Sequence, residues 1–203
     1  MKEVSDGPPL LKRKFGKTWW GSAWVDALER IDYDTNRLPR GRRYARNGSV
    51  REIEIKDGDV FAKVQGSRPS PYRIIIHLKK FNKQEVETIK ESIASNPAIS
   101  SELSIGRLPE AFLEILDNNH VNVLPKRWKE IEASCSCPDW ANPCKHLASV
   151  YYIIGNEIDK DPFILFNLHG IETDVLTKSA GITVTNEKEA QELFVPMSAA
   201  EAD

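Results

Sequence analysis

The spacing of apolar residues changes along this chain, and each change marks an element. Trp20, Trp24, Ala27, Leu28 and Ile31 recur every three or four residues, which predicts a helix to about Ile31 with Thr18 as its cap. Residues 32–49 lose that period and contain Pro39, Gly41 and Gly48, so they read as a loop. Then the period becomes two. Ile53 and Ile55 face one way in Arg51–Lys56, Asp57-Gly58 is a hairpin turn, and Val60, Ala62 and Val64 return. Tyr72, Ile74, Ile76 and Leu78 add a third strand, which gives a three-stranded antiparallel meander.

Helical spacing resumes at Val86, Ile89 and Ile93, after a start at Asn82 or Lys83 and before a stop near Asn96-Pro97. One or two short helices follow over Glu102–Asn119, broken at Arg107-Leu108-Pro109. Val121–Leu124 and Trp128–Ser136 read as strands. Leu147, Val150, Tyr151, Ile154 and Ile158 form a further helical stripe, and a short apolar helix runs from Asp161-Pro162 to about Leu168. The expected class is α+β: an antiparallel β-meander with flanking helices, followed by a smaller module. The expected divisions are a flexible N-terminal tail (1–14), an N-terminal α+β domain (15–120), the smaller module (121–168) and an acidic C-terminal tail (169–203).

Composition narrows the class. With 203 residues, 40% hydrophobic and 29% charged, the chain is long enough for a sizeable core. No apolar run approaches the roughly 18–20 residues of a membrane span, and the first residues lack a signal-peptide core. A cytoplasmic chain with reduced thiols and no membrane partner is expected. The net charge of −2 hides an asymmetry. Residues 1–80 carry 18 Lys and Arg against 10 Asp and Glu, whereas residues 81–203 carry 10 against 20. Such a split points to nucleic acid or to an oppositely charged partner. It is sharpest over Arg37–Arg51, which holds six arginines and no acid. Arg40, Arg42, Arg43 and Arg46 are the candidate phosphate contacts, since a guanidinium fork pairs with phosphate oxygens, and Tyr44 is placed to stack on a base. The competing reading is a solvated loop paired with Asp32, Asp34 or the acidic second half.

All three cysteines fall within ten residues: Cys135-Ser136-Cys137-Pro138-Asp139-Trp140-Ala141-Asn142-Pro143-Cys144-Lys145-His146. Three thiolates and one imidazole are an allowed tetrahedral set for Zn2+. Two cysteines one residue apart on a strand share a face. Cys144 and His146 would sit about 200° apart inside a regular helix. Cys144 is therefore expected before the helix or in its first turn, with His146 at the helix start. Four protein ligands leave no open position, which makes the metal structural rather than catalytic. Trp140, between the ligand pairs, either covers the metal or serves as a partner contact.

Cys-x-Cys followed by Cys-x-His, within Cys-Ser-Cys-Pro-Asp-Trp and Pro-Cys-Lys-His-Leu-Ala, resembles the SWIM zinc finger. Phe15–Gly21, Arg40–Arg46 and Gln65–Pro69 resemble the N-terminal part of prokaryotic proteins of that family. The resemblance implies a small ββα zinc finger over 121–168, zinc binding and a role in DNA or protein contacts, often beside helicase-like remodelling ATPases, with no defined reaction. The leading expectation is a zinc-binding adaptor that contacts nucleic acid through the arginine run. The second is a protein-interaction subunit of a helicase-like ATPase without direct nucleic-acid binding. An enzyme is the most distant reading, because a Cys-x-His pair so close in sequence gives poor general-base geometry.

Overall fold

Asp57 and Gly58 both adopt positive φ, 52° and 76°, as the two central residues of a type I′ turn require. That turn joins strands β1 (Val50–Lys56) and β2 (Asp59–Val64), and β3 (Tyr72–Leu78) completes the expected meander. The computed structural model of the chain describes residues 15–31, 37–139 and 141–179. Helices α1 (Trp19–Ile31) and α2 (Arg37–Arg46) precede the meander; α3 (Lys83–Ala94), α4 (Pro97–Ser104) and α5 (Glu110–Asn118) follow it. Strand β4 (Ile131–Cys135), α6 (Lys145–Lys160), α7 (Ile164–Asn167) and α8 (Thr173–Ser179) complete an α+β fold.

All strand pairs are antiparallel, in the order β1-β2-β3-β4. Val60, Ala62 and Val64 of β2 and Tyr72, Ile74, Ile76 and Leu78 of β3 bury one face of the sheet. The other face carries Lys63, Arg73 and a half-exposed Phe61. Helix α6 touches all four strands as well as α1 and α2. It is buried almost all round, from His146 to Ile158, as a central helix must be. Trp24 of α1 stacks on Tyr151 of α6 with ring centroids 4.2 Å apart, and its indole N–H donates to the Tyr151 carbonyl at 3.1 Å.

The start of α1 is held from α6. Thr18 Oγ1 accepts the Gly21 N–H at 3.1 Å, as the expected cap. The Asp159 carboxylate in turn accepts the N–H groups of Lys17 and Thr18 and the Thr18 hydroxyl. Helix α3 begins with a reciprocal capping box between Asn82 and Glu85.

Three expectations are corrected. Residues 37–46 form a helix and not a loop, so the arginine run is helical. Pro39 lies in the first turn, where its missing N–H costs nothing. Gly41 is no breaker, for it faces Ala148 of α6, and Leu38, Gly41 and Ala45 bury one side of α2. Second, Val121–Leu124 is not a strand, although Val121 and Val123 are buried. The strand beside β4 is β3 of the meander, so the ββα finger shares its first strand and the core with the preceding region. Third, residues 169–179 pack as part of the fold. His169, Ile171 and Leu176 are buried, and α8 lies against α3 and α4. Residues 1–14, the rest of the acidic tail and Trp140 lie outside the described residues.

Candidate metal centre

Strand β4 ends on Cys135, which pairs with Ile74 of β3. The turn after it is fastened to β3 twice, because the Arg73 N–H donates to Ser136 Oγ at 2.9 Å and the Ser136 N–H donates to the Arg73 carbonyl at 3.0 Å. This clamp sets Cys135 and Cys137 on either side of an exposed serine. On the other flank, Cys144 is the N-cap of α6, and its sulfur accepts the Leu147 N–H at 3.5 Å. His146 is then the second residue of the helix, as the spacing required.

The four ligand atoms of Cys135, Cys137, Cys144 and His146 lie within 4.8 Å of one another. His146 Nδ1 is 3.9 Å from the sulfurs of both Cys135 and Cys144. Zinc bonds are about 2.3 Å to sulfur and about 2.0 Å to nitrogen, so the set closes around one ion with no large movement. Softness agrees with geometry, as three thiolates and an imidazole suit zinc.

The thiols differ in how readily they lose a proton. Cys144 is held well below an ordinary thiol, first by the hydrogen bond from Cys135; burial opposes this, and His146 and the Leu147 N–H assist. Cys135 is pushed up, first by sharing its proton with Cys144 and then by burial. Burial is the leading influence that raises Cys137. The thiolate is therefore most favoured at the sulfur on the helix N-terminus, and an ion competes with protons for the other two.

The imidazole is held by aromatic rings. Tyr72 lies 4.6 Å from it and Tyr44 of α2 meets it edge-on at 5.4 Å. Its Nε2 is buried without a hydrogen-bond partner among the described residues. A Cβ at Gly66 would come 3.1 Å from that nitrogen and 2.4 Å from the Tyr72 ring, so only glycine leaves the ring in place. Ligation of an ion through Nδ1, the nitrogen turned to the sulfurs, would leave the ring's proton on Nε2. Tyr44, anticipated as a base-stacking surface, braces the ligand in this structure. No periodicity marked Gly66, Tyr72 and Tyr44 as supports for the site, since they meet His146 only through the fold.

Cations surround the centre. Lys145 lies over the Tyr44 ring and Arg68 over the Tyr72 ring, each 5.7 Å from the centroid. Arg37, at the start of α2, pairs with Asp139 of the metal turn at 3.0 Å. The Asp139 carboxyl is lowered: burial works against this, but the Ala141 N–H and Arg37 outweigh it. The basic helix and the cysteine site, far apart in sequence, are therefore neighbours.

The four candidate arginines separate. Arg42 pairs with Glu29 of α1 and lies 5.2 Å over the Tyr152 ring. Arg46 lies over Phe15 at 5.7 Å. Arg40 and Arg43 are exposed, one turn apart on the outer side of α2, with no ion pair among the described residues.

Residues 119–155, which contain the four ligands and the start of α6, match the family model for the SWIM zinc finger. The chain carries a SWIM zinc finger. Its Cys-x-Cys and Cys-x-His ligands fit Zn2+, and its helix is the first part of α6. The uncharacterized protein Rv2102 of Mycobacterium tuberculosis is 38% identical over 160 residues, which cover 79% of this chain and 57% of that relative. The likeness extends well beyond the SWIM finger, yet the chain spans only a little over half of the relative's length. No solved structure matches the chain. No helix among the described residues is long and apolar enough to cross a membrane.

Proposed function

We propose that this chain is a non-enzymatic adaptor whose zinc site props a basic helix against nucleic-acid phosphates. The observation that carries this reading is the outward placement of Arg40 and Arg43 on a helix locked beside the SWIM finger. Two guanidinium groups one turn apart, with no ion pair among the described residues, suit phosphate oxygens better than a mobile loop does, because less side-chain and backbone freedom is lost on binding. Phosphate contact of this kind fixes position and does not read sequence. The metal has four protein ligands and no place for a substrate, so its part is to hold β4, the metal turn and α6 together.

The test is binding of a fluorescently labelled DNA duplex and a labelled single-stranded RNA to the zinc-loaded protein, across a range of salt. Affinity should fall steeply with salt. On duplex DNA, Arg40→Ala/Arg43→Ala should lower the log–log slope by about 1.8, two phosphates at roughly 0.9 each. Unchanged affinity in that variant would remove α2 from the account. Absence of binding to either polymer at low salt would favour the second reading, docking on a helicase-like ATPase, to be checked by reconstitution with such a partner.

A further inference from the structure

An open cleft of about 750 Å³ lies between α1, α5 and residues 121–126. We propose that this chain's own segment Leu10–Lys14 docks in it. One wall is the outer stripe of α1, which runs from Trp19 through Ala23 to Arg30. The floor is apolar, with Leu113, Val121 and Val123 prominent. The rim carries four acids, Asp26, Glu110, Glu114 and Asp117, against the cations Arg30 and Lys126. Lys126 is engaged by Asp117 at 2.6 Å, so the remaining rim is acidic.

The occupant follows from the sequence that leads into α1. Leu10-Leu11-Lys12-Arg13-Lys14 offers two leucines for the floor and three cations for the rim. Its position is suitable. Ser22 and Asp26 border both this cleft and a smaller cavity of about 310 Å³ that touches Phe15, so α1 is the ridge between the two. Phe15 packs on Tyr152 on the far flank of that ridge. A helix with its side chains is about 10–12 Å across, and three extended residues reach roughly 10 Å. Residues 12–14 therefore suffice to pass the start of α1 and bring Leu10 and Leu11 to Trp19.

Carbodiimide crosslinking of the full-length zinc-loaded protein, read by mass spectrometry, tests this. The sample mixes equal amounts of light and 15N-labelled chains, with no nucleic acid present, so the result stands apart from the reading of α2. Lys12 or Lys14 should link to Asp26, Glu110 or Glu114 within single chains. Leu10→Asp/Leu11→Asp should cut those links about tenfold or more, as loss of even one buried leucine would. In the same variant, hydrogen exchange of Val121–Leu124 should quicken. Missing links, links that survive the leucine changes, or links joining light to heavy chains would each overturn the proposal; the last would assign the cleft to a second copy. Unchanged exchange at Val121–Leu124 would overturn it as well.

Discussion

Gly41 of α2 and Ala148 of α6 meet where no further atom fits: a Cβ on Gly41 would lie 2.5 Å from that of Ala148. This contact fixes the separation of the basic helix from the helix that carries His146. Gly41→Val should lower stability by about 1–3 kcal/mol, the cost of overpacking a well-filled contact. Zinc affinity should fall with it, because α2 also supplies Tyr44 and Arg37 to the metal site. Gly41→Ala should be milder, and Ala148→Gly on that background should recover part of the loss. Thermal unfolding and a competitive zinc chelator read both quantities.

Metal analysis should return about one zinc per chain, and none after Cys144→Ser. Cys144 is the most informative ligand to change, because it both binds the ion and caps α6. Chelation should lower the unfolding temperature and raise hydrogen exchange across residues 131–147, while helical circular dichroism changes little. The core spreads over α1 to α8 and all four strands, so it does not depend on the ion alone.

Arg42 and Arg43 are adjacent and should behave differently. Arg42 lies against Glu29 and Tyr152 and is raised further above its ordinary range: burial opposes this, and Tyr152 and Glu29 outweigh it. Arg42→Ala should cost roughly 0.5–1.5 kcal/mol of stability and leave the salt slope of nucleic-acid binding unchanged. Arg43→Ala should do the reverse. Paired denaturation and anisotropy titrations of the two variants separate the roles.

His169 predicts an acid limit of stability. Its ring is buried, stacked on Phe81 at 4.3 Å, with Nδ1 2.6 Å from the Lys79 carbonyl and Nε2 3.0 Å from that of Val123. Burial lowers its pKa, and the two carbonyls only partly offset this; Lys80 lowers it further and Glu85 raises it. A depressed folded pKa means that the unfolded chain takes up the proton first. The contribution is therefore complete above the unfolded value of about 6.5 and declines as pH falls below it. His169→Gln should flatten the fall in unfolding temperature between about pH 6.5 and 5. In the neutral protein, 15N NMR should find the proton on Nδ1, the nitrogen with the shorter contact.

Much of this architecture was legible from local signals. Alternation gave the meander, Asp57-Gly58 gave its turn, and the stripe Val86, Ile89 and Ile93 after Asn82 gave α3. The ligand set was legible because metal geometry restricts spacing: a Cys-x-His pair at a helix start places cysteine at the cap. The errors arose where long-range packing decides. Gly41 and Pro39 look like breakers in isolation, and only the presence of Ala148 shows that the glycine makes room for a second helix. Val121–Leu124 has strand-like residues but pairs with no strand among the described residues. The burial of His169 and Leu176 depends on contacts with α3 and the 121–124 segment, which an acidic sequence does not announce.

The register of β4 against β3 has one more consequence. Cys135 is at once the last residue of β4, one of the sheet's two edge strands, and a metal ligand. Loss of the ion would release that strand at its anchored end and bare the backbone of β3 from Ile74 onward, a template on which another chain can add. Zinc depletion or thiol oxidation would then first be felt as stickiness, with molecules joining edge to edge before any of them has unfolded.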